Sequence, residues 1–334
     1  MIFVTGGTGL LGGQLLYDLV SQGASVRALY RSKSRLSGTL HLFQYRNPEK
    51  GKELFGKIEW IEGDILDIPA LMESMAGCPS VYHCAGLVSF HPKDHAQVFK
   101  INREGTANMV NVALELGVQK FCHVSSTAAI GGDNTAPITE KTKWKNGEIT
   151  SGYSLSKNAA EREVWRAREE GLNAVIINPS VILGPGNWNE TSLTIFQTVS
   201  RGLRFYPPGS NGTVDVRDVS SSMIQLMESD IEGERYLCVG SNQSFKELMT
   251  VISEELNLAP PTRMAKYWQV WIARWALKIV KGITGRRSAI TKETVHNLFS
   301  DKKYDTAKLK DAIGIEFRPL KEQVSDSVLG RLEK

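Results

Sequence analysis

Acidic side chains are missing from two long windows of this chain. Between Asp18 and Glu49 there is neither Asp nor Glu, and none occurs from Leu256 to Lys292. Cysteine is scarce as well. The four (Cys78, Cys84, Cys122 and Cys238) stand far apart with no CxxC pair, which argues against a disulfide framework or a zinc knuckle and for buried, reduced thiols in a cytoplasmic protein. His91 and His95 could share a helix face, but no further Cys or His cluster joins them, so solvated histidines and no metal are expected. No apolar run approaches the ~18 residues of a membrane span. Met1 leads straight into a strand pattern with no signal-peptide n-region, which agrees with a cytoplasmic location. A net charge of +4 over 334 residues gives no reason to expect a nucleic-acid partner.

What is present is an alternation of short apolar runs with helical periodicity. "MIFVTG", "SVRALY", "IEWIEGDI", "SVYHCAG", "KFCHVSS" and "NAVIINPS" read as strands. A helix follows the first run through "GGQLLYDLVSQG", and others are expected over about 97–116 and 152–170. That pattern predicts a doubly wound, mostly parallel α/β sheet of the Rossmann type, flanked by helices. Residues 1–180 are expected to form it. Residues 181–334, rich in turn signals such as "GPGNWNETS" and "FYPPGSNGT", are expected to form a smaller α+β substrate lobe with segments returning to the main sheet.

The first strand runs into "VTGGTGLLGG", where Gly7-x-Gly9-x-x-Gly12 and Gly6-x-x-Gly9-x-x-Gly12 overlap. Glycines at a strand-to-helix turn let a pyrophosphate lie against the backbone, where the free amides of the helix N-terminus favour anions. The segment from Thr5 and Gly6 through Gly9, Leu10, Leu11 and Gly12 is the candidate dinucleotide loop. An NAD site usually places a carboxylate at the end of the second strand, to hold the ribose 2′-hydroxyl. Here Arg31 stands at that place, followed by Lys33 and Arg35. A phosphate would find charge-assisted donors there, so NADP is the expected cofactor, with NAD the alternative.

"GYSLSKNAAERE" sets Tyr153 and Lys157 four residues apart, on one face of a helix. An ammonium beside a phenol favours the phenolate and should lower its pKa from about 10, making the tyrosine usable as an acid or base. Ser125 and Ser126 close the strand "KFCHVSS" at the carboxyl edge of the sheet, where open α/β folds bind ligands.

With "TGGTGLLG", "GDILD", "HCAG", "INREGTANMV", "HVSS", "YSLSK" and "NPSVILGPG" in this order, the chain resembles the extended short-chain dehydrogenase/reductase family. That group, NAD-dependent epimerase/dehydratase-like, includes nucleotide-sugar epimerases, 3β-hydroxysteroid dehydrogenases and dihydroflavonol reductases. The resemblance implies a seven-stranded Rossmann sheet and an NAD(P)-dependent enzyme. It implies Tyr153 as proton donor or acceptor, Lys157 on the nicotinamide ribose, Ser126 on the substrate oxygen and Asn102 in support. It also implies Asp64 and Ile65 beside the adenine, and Ala85, Gly86 and Ser125 along the cofactor. Pro179 and Ser180 would face the nicotinamide amide. Relatives dimerise through helices matching 97–116 and 152–170, so a homodimer is expected. Arg31 in place of Asp, "AIG" in place of "VYG" and Asn178 in place of Arg depart from the epimerases and lean toward the reductase side.

The leading expectation is therefore hydride transfer between NADP(H) and a ketone or secondary alcohol of a fairly apolar small molecule. The alternatives are an epimerase or dehydratase that retains NAD, and a nucleotide-sensing binding protein without turnover. The second acid-free window adds "YWQVWIARWALKIVKGITG", with Trp268, Trp271, Ile272, Trp275 and Ile279 at helical spacing and basic residues from Arg263 to Arg287. Three readings fit it: a helix packing its tryptophans inward, a lid over a bulky apolar substrate, or a peripheral membrane contact.

Overall fold

The computed structural model describes residues 1–131, 137–144, 151–272 and 292–332. Its centre is a seven-stranded, all-parallel sheet. The strands are β1 (Ile2–Thr5), β2 (Val26–Tyr30), β3 (Glu59–Glu62), β4 (Ser80–His83), β5 (Lys120–Val124), β6 (Ala174–Pro179) and β10 (Glu234–Cys238). They run in the order β10-β6-β5-β4-β1-β2-β3, the doubly wound arrangement expected from the sequence. Strand order reverses beside β1, so the carboxyl ends of β1 and β4 open a crevice there.

Both sheet faces are covered, which is why strands such as "AVIINP" are buried throughout rather than alternating. One face packs against α1 (Leu10–Ser21) and α9 (Val216–Glu228), with Leu15, Leu16, Leu19, Val219 and Met223 buried together. The other packs against α4 (Ile68–Met75), α6 (Gly105–Glu115) and α7 (Gly152–Glu169), around Leu71, Met109, Val164 and Phe121. A polar stretch follows β2. It folds into α2 (Leu36–Arg46) and the short α3 (Gly51–Gly56), anchored by Phe43 between the edges of the Tyr17 and Phe55 rings.

The helix expected over about 97–116 begins at α5 (His95–Phe99) and continues into α6 through a π-helical turn at Lys100–Glu104. His91 Nδ1 accepts from the Lys93 amide at the 3₁₀ turn before it, and His95 packs its ring on Gly152. Among the described residues no group of three or more His, Cys, Asp or Glu is placed to hold a metal. Cys78, Cys84, Cys122 and Cys238 are all free thiols, with Cys84 only half-buried.

The small lobe holds a sheet of β7 (Val181–Leu183), β9 (Ser210–Asp215) and β11 (Ser241–Ser244), and a ribbon of β8 (Phe205–Tyr206) with β12 (Arg263–Met264). Helices α8 (Thr194–Ser200), α10 (Phe245–Glu255) and α13 (Leu320–Leu329) enclose its own core around Phe196, Leu248, Ile252 and Val324. Between them in sequence lie α11 (Lys292–Phe299) and α12 (Ala307–Ile313). No helix among the described residues is long and apolar enough to cross a membrane. Inward packing of the tryptophans, the first of the three readings above, does not hold for Trp268 and Trp271. Both are exposed on the helical turn at 267–272, which leaves from the two-stranded ribbon. Trp275 and Ile279 lie outside the described residues.

Candidate active site

At the nucleotide end, Gly6 takes φ +73°, and a Cβ there would stand 2.6 Å from the Ala85 amide nitrogen. A Cβ on Gly12 would stand 2.2 Å from the Gly6 carbonyl oxygen, so these two glycines let α1 fold down on β1 and β4. Gly9 differs. A Cβ there would meet only the Gly6 oxygen, at 3.3 Å, so space beyond it is open. The first turn of α1 carries no acidic residue, and Gly9 offers no side-chain cap. The amides of Leu10, Leu11 and Gly12 thus begin a helix whose positive end faces an open cradle, a fit for a dinucleotide pyrophosphate.

Arg31 follows β2 at its carboxyl tip, exposed. Among the described residues neither Arg31 nor Lys33 makes a side-chain ion pair, while Arg35 pairs with Glu190 at 3.2 Å. The nearby carboxylate of Glu62 accepts from Tyr30 Oη. Asp64 turns the chain by accepting from the Leu66 amide at 3.0 Å, and Asn108 Nδ2 donates to the Ile65 carbonyl, which fixes Asp64 and Ile65 against α6.

The chemical end is built on α7. Ser151 caps it by accepting from the Ser154 amide at 2.8 Å. Tyr153 is buried, its ring edge-on to Phe90 at 5.4 Å, and it shares a hydrogen bond with Ser126. Ser126 Oγ also accepts from the Ala128 amide, which sets its rotamer. One turn on, the buried Lys157 donates to the Val124 carbonyl at 2.9 Å. A Cβ on Gly86 would stand 3.3 Å from both Lys157 Nζ and Asn102 Oδ1, so a side chain there would press on both. Asn102 sits in the π turn, where its side chain reaches three partners. It accepts from the Leu87 amide (2.7 Å) and donates to the Leu87 carbonyl (3.0 Å) and to Ser156 Oγ (2.9 Å).

The structure therefore brings Ser126, Tyr153, Lys157 and Asn102 together, with Thr5, Ala85, Gly86, Ser125, Pro179 and Ser180 at neighbouring strand ends. Three buried polar atoms there have no partner: Ser125 Oγ, Ser180 Oγ and Asn178 Oδ1. Orphaned groups at the ends of β5 and β6 suit a polar ligand such as a carboxamide. The tyrosine differs from the sequence expectation. Burial pushes the Tyr153 phenol up and the Ser126 hydrogen bond draws it partly back. Lys157, one turn on, is itself pushed down to about 8 by burial, with Glu161 and Cys84 opposing.

Two further groups were not legible in the motifs. One is a hydrogen-bond chain through His83. The Ala85 amide donates to Thr5 Oγ1, which lies 2.8 Å from His83 Nδ1; His83 Nε2 lies 3.0 Å from Thr106 Oγ1, which donates to the Asn102 carbonyl. Because Thr106 spends its proton on Asn102, Nε2 must donate and Nδ1 accept, so His83 is neutral with its hydrogen on Nε2. The other is buried Glu161, which accepts from Asn178 Nδ2 (2.5 Å) and pairs with Arg235 (3.2 Å); Asn178 also donates to the Ser126 carbonyl. Its signal was available, since Glu161 stands one helical turn past Lys157.

The model of the NAD-dependent epimerase/dehydratase family matches residues 2–237. The chain is 28% identical to cinnamoyl-CoA reductase 1 of Petunia hybrida, covering all of this chain and 92% of that one. It is 29% identical to sterol demethylase protein B of Methylococcus capsulatus over 78% of this chain and 76% of that protein. Among solved structures, that of gox2253 superposes with a TM-score of 0.80 at 26% identity, covering 99% and 97% of the two chains. The protein is an enzyme belonging to the NAD-dependent epimerase/dehydratase family.

Proposed function

We propose that the enzyme is an NADP-dependent reductase or dehydrogenase acting on a ketone or secondary alcohol of a fairly apolar molecule. The observation that carries this is the tip of β2: Arg31 and Lys33 stand exposed, without ion pairs among the described residues, where an NAD site places a carboxylate. An exchangeable NADP(H) suits net reduction or oxidation, whereas an epimerase returns its hydride and keeps its nucleotide. The cinnamoyl-CoA reductases among the relatives favour the same side.

The bound nucleotide supplies or accepts the hydride. Arg31 and Lys33 would hold the 2′-phosphate, and the amides opening α1 would hold the pyrophosphate. Ser126 donates a hydrogen bond to the reacting oxygen, and Tyr153 gives that oxygen a proton, or removes one in the oxidative direction. Lys157 would hold the nicotinamide ribose, and its charge would steady the phenolate left behind. Asn102 keeps β4's exit and the first turn of α7 in register. The cavity in the small lobe, about 200 Å³ and walled by Val181, Ile195, Phe245 and Leu248, suits an apolar substrate group.

The test is to denature the purified protein, identify any released nucleotide, and titrate the emptied protein with NADPH and NADH. Preference for exchangeable NADPH is expected. Arg31→Asp should weaken NADPH binding roughly 10- to 100-fold, the loss of one or two charge-assisted hydrogen bonds, with little change for NADH. Tyr153→Phe should lower turnover by about 10²–10⁴ while nucleotide binding stays nearly intact. Retained NAD with no phosphate preference would instead establish the epimerase or dehydratase reading.

A further inference from the structure

The part of the molecule that the proposed chemistry leaves unused is the outer edge of the small lobe. On it Met264, Tyr267, Trp268 and Ile272 are each more than half exposed, with Trp271 and Phe205 beside them. Met264 and the helical turn at 267–272 follow one another along the chain. β12 pairs with β8, so that Arg263 lies opposite Phe205 and Met264 opposite Tyr206, and the helical turn at 267–272 leaves directly from that ribbon. Isolated exposed apolar side chains are ordinary, but a continuous aromatic patch on a soluble face marks an interaction site.

Charge decides which partner. Arg204 and Arg263 flank the patch on its two strands, Lys266 opens the helical turn, and Lys246 lies over the Tyr206 ring at 5.4 Å; all four are exposed. Beyond the patch the sequence runs to Lys292 with Arg274, Lys278, Lys281, Arg286 and Arg287 and without one carboxylate. A second copy docking about a two-fold axis would set this cationic cluster against itself. A substrate lid would turn its aromatics inward, and these face out.

We propose that this edge docks onto an anionic lipid bilayer. Tyr267, Trp268 and Trp271 are the side-chain types that favour the headgroup boundary, Met264 and Ile272 supply apolar anchoring below it, and the surrounding Arg and Lys meet lipid phosphates. The patch is also joined to the candidate site. Tyr267 packs edge-on against Phe299 at 5.2 Å, and from there Ser300–Tyr304 run beside β9, where Tyr304 Oη donates to Asn211 and hydrogen-bonds Thr127, next to Ser126. Docking in this pose sets the lobe with the apolar cavity at the membrane surface. The proposal does not depend on the chemistry assigned above.

The test is vesicle flotation of the full chain, using phosphatidylcholine alone and phosphatidylcholine with about 30% phosphatidylglycerol. Binding to the anionic vesicles should exceed binding to the neutral ones at least tenfold. It should fall several-fold from about 50 mM to about 500 mM salt, as the Debye length shrinks about threefold. Trp268→Ser with Met264→Ser should reduce it about tenfold without moving Tm, and Arg263→Gln with Lys266→Gln should flatten the salt dependence. No anionic-vesicle binding, binding unaffected by either pair of substitutions, or a dimer in solution that the Trp268→Ser variant dissociates without any lipid binding would each overturn it.

Discussion

His83, whose ring nitrogens face Thr5 and Thr106, ties three pieces of the nucleotide crevice. Protonating it would put a donor on Nδ1 facing Thr5 and a charge in a fully buried place, and burial, aided by the nearby Lys157 charge, pushes its pKa down to about 3. The unfolded chain takes up this proton near 6.5, and the native state does so only near 3. The folded pKa is the depressed one, so the contribution to stability is whole above about pH 6.5. It drains as pH falls from there to about 3, at a limiting slope of about 1.4 kcal/mol per pH unit. His123, buried at 5.3 Å from His83 with neither ring nitrogen partnered, is shifted in the same direction. Urea unfolding from pH 7 to pH 4 should therefore show a steep loss, and His83→Gln should be less stable at pH 7 with a shallower pH slope. An unchanged slope would place the acid sensitivity elsewhere. At this scale the sequence was legible where chemistry imposes spacing: Tyr153 and Lys157 share a helix face, and Ser126 ends a strand. It was not legible for Thr5, His83 and Thr106. They lie on three separate elements, and only the parallel register of β1 with β4 and the helix packed over them brings them together.

The π turn is the feature of element scale that no periodicity announced. One extra residue in the turn at Lys100–Glu104 rotates Asn102 toward β4's exit, while the helices before and after it keep their apolar faces on the sheet. The geometry persists because Asn102 satisfies both backbone groups of Leu87 and one hydroxyl of α7. Asn102→Leu keeps the volume but removes the partner of both half-buried backbone groups of Leu87, while Ser156 Oγ keeps its bond to the Tyr153 carbonyl, at a cost of roughly 1–3 kcal/mol. We expect that loss in urea unfolding, together with faster amide exchange across residues 152–157. Normal protection there would show that α7 does not need the asparagine. Helices α2 and α3 are hard to read from the sequence for a related reason. "YRNPEKGKELFG" has the composition of a loop, and the pair is held by a few apolar residues, Leu42 and Phe43 with Leu54 and Phe55, rather than by a long stripe.

At the scale of the whole molecule the doubly wound parallel sheet was legible in the sequence. Residues 1–180 supply six of the seven sheet strands, but the outer edge of β6 is paired by β10, and the face carrying α1 is closed by α9. Both come from beyond residue 181. A polypeptide ending at Ser180 would bare β6 along the register Val175–Pro179 and uncover Leu15, Leu16 and Leu19. We expect that fragment to aggregate or stay unfolded by circular dichroism, and co-expression with residues 181–334 to rescue it; an independently folded fragment would refute this. The pairing of β6 with β10 also has a consequence in time. On the ribosome the nucleotide crevice is translated first, but its sheet stays open on one side until the chain has made the small lobe and come back. The nascent protein thus waits through more than fifty further residues (181–233) with an unpaired edge, a stretch in which a chaperone, or a second nascent copy, has the first claim on β6.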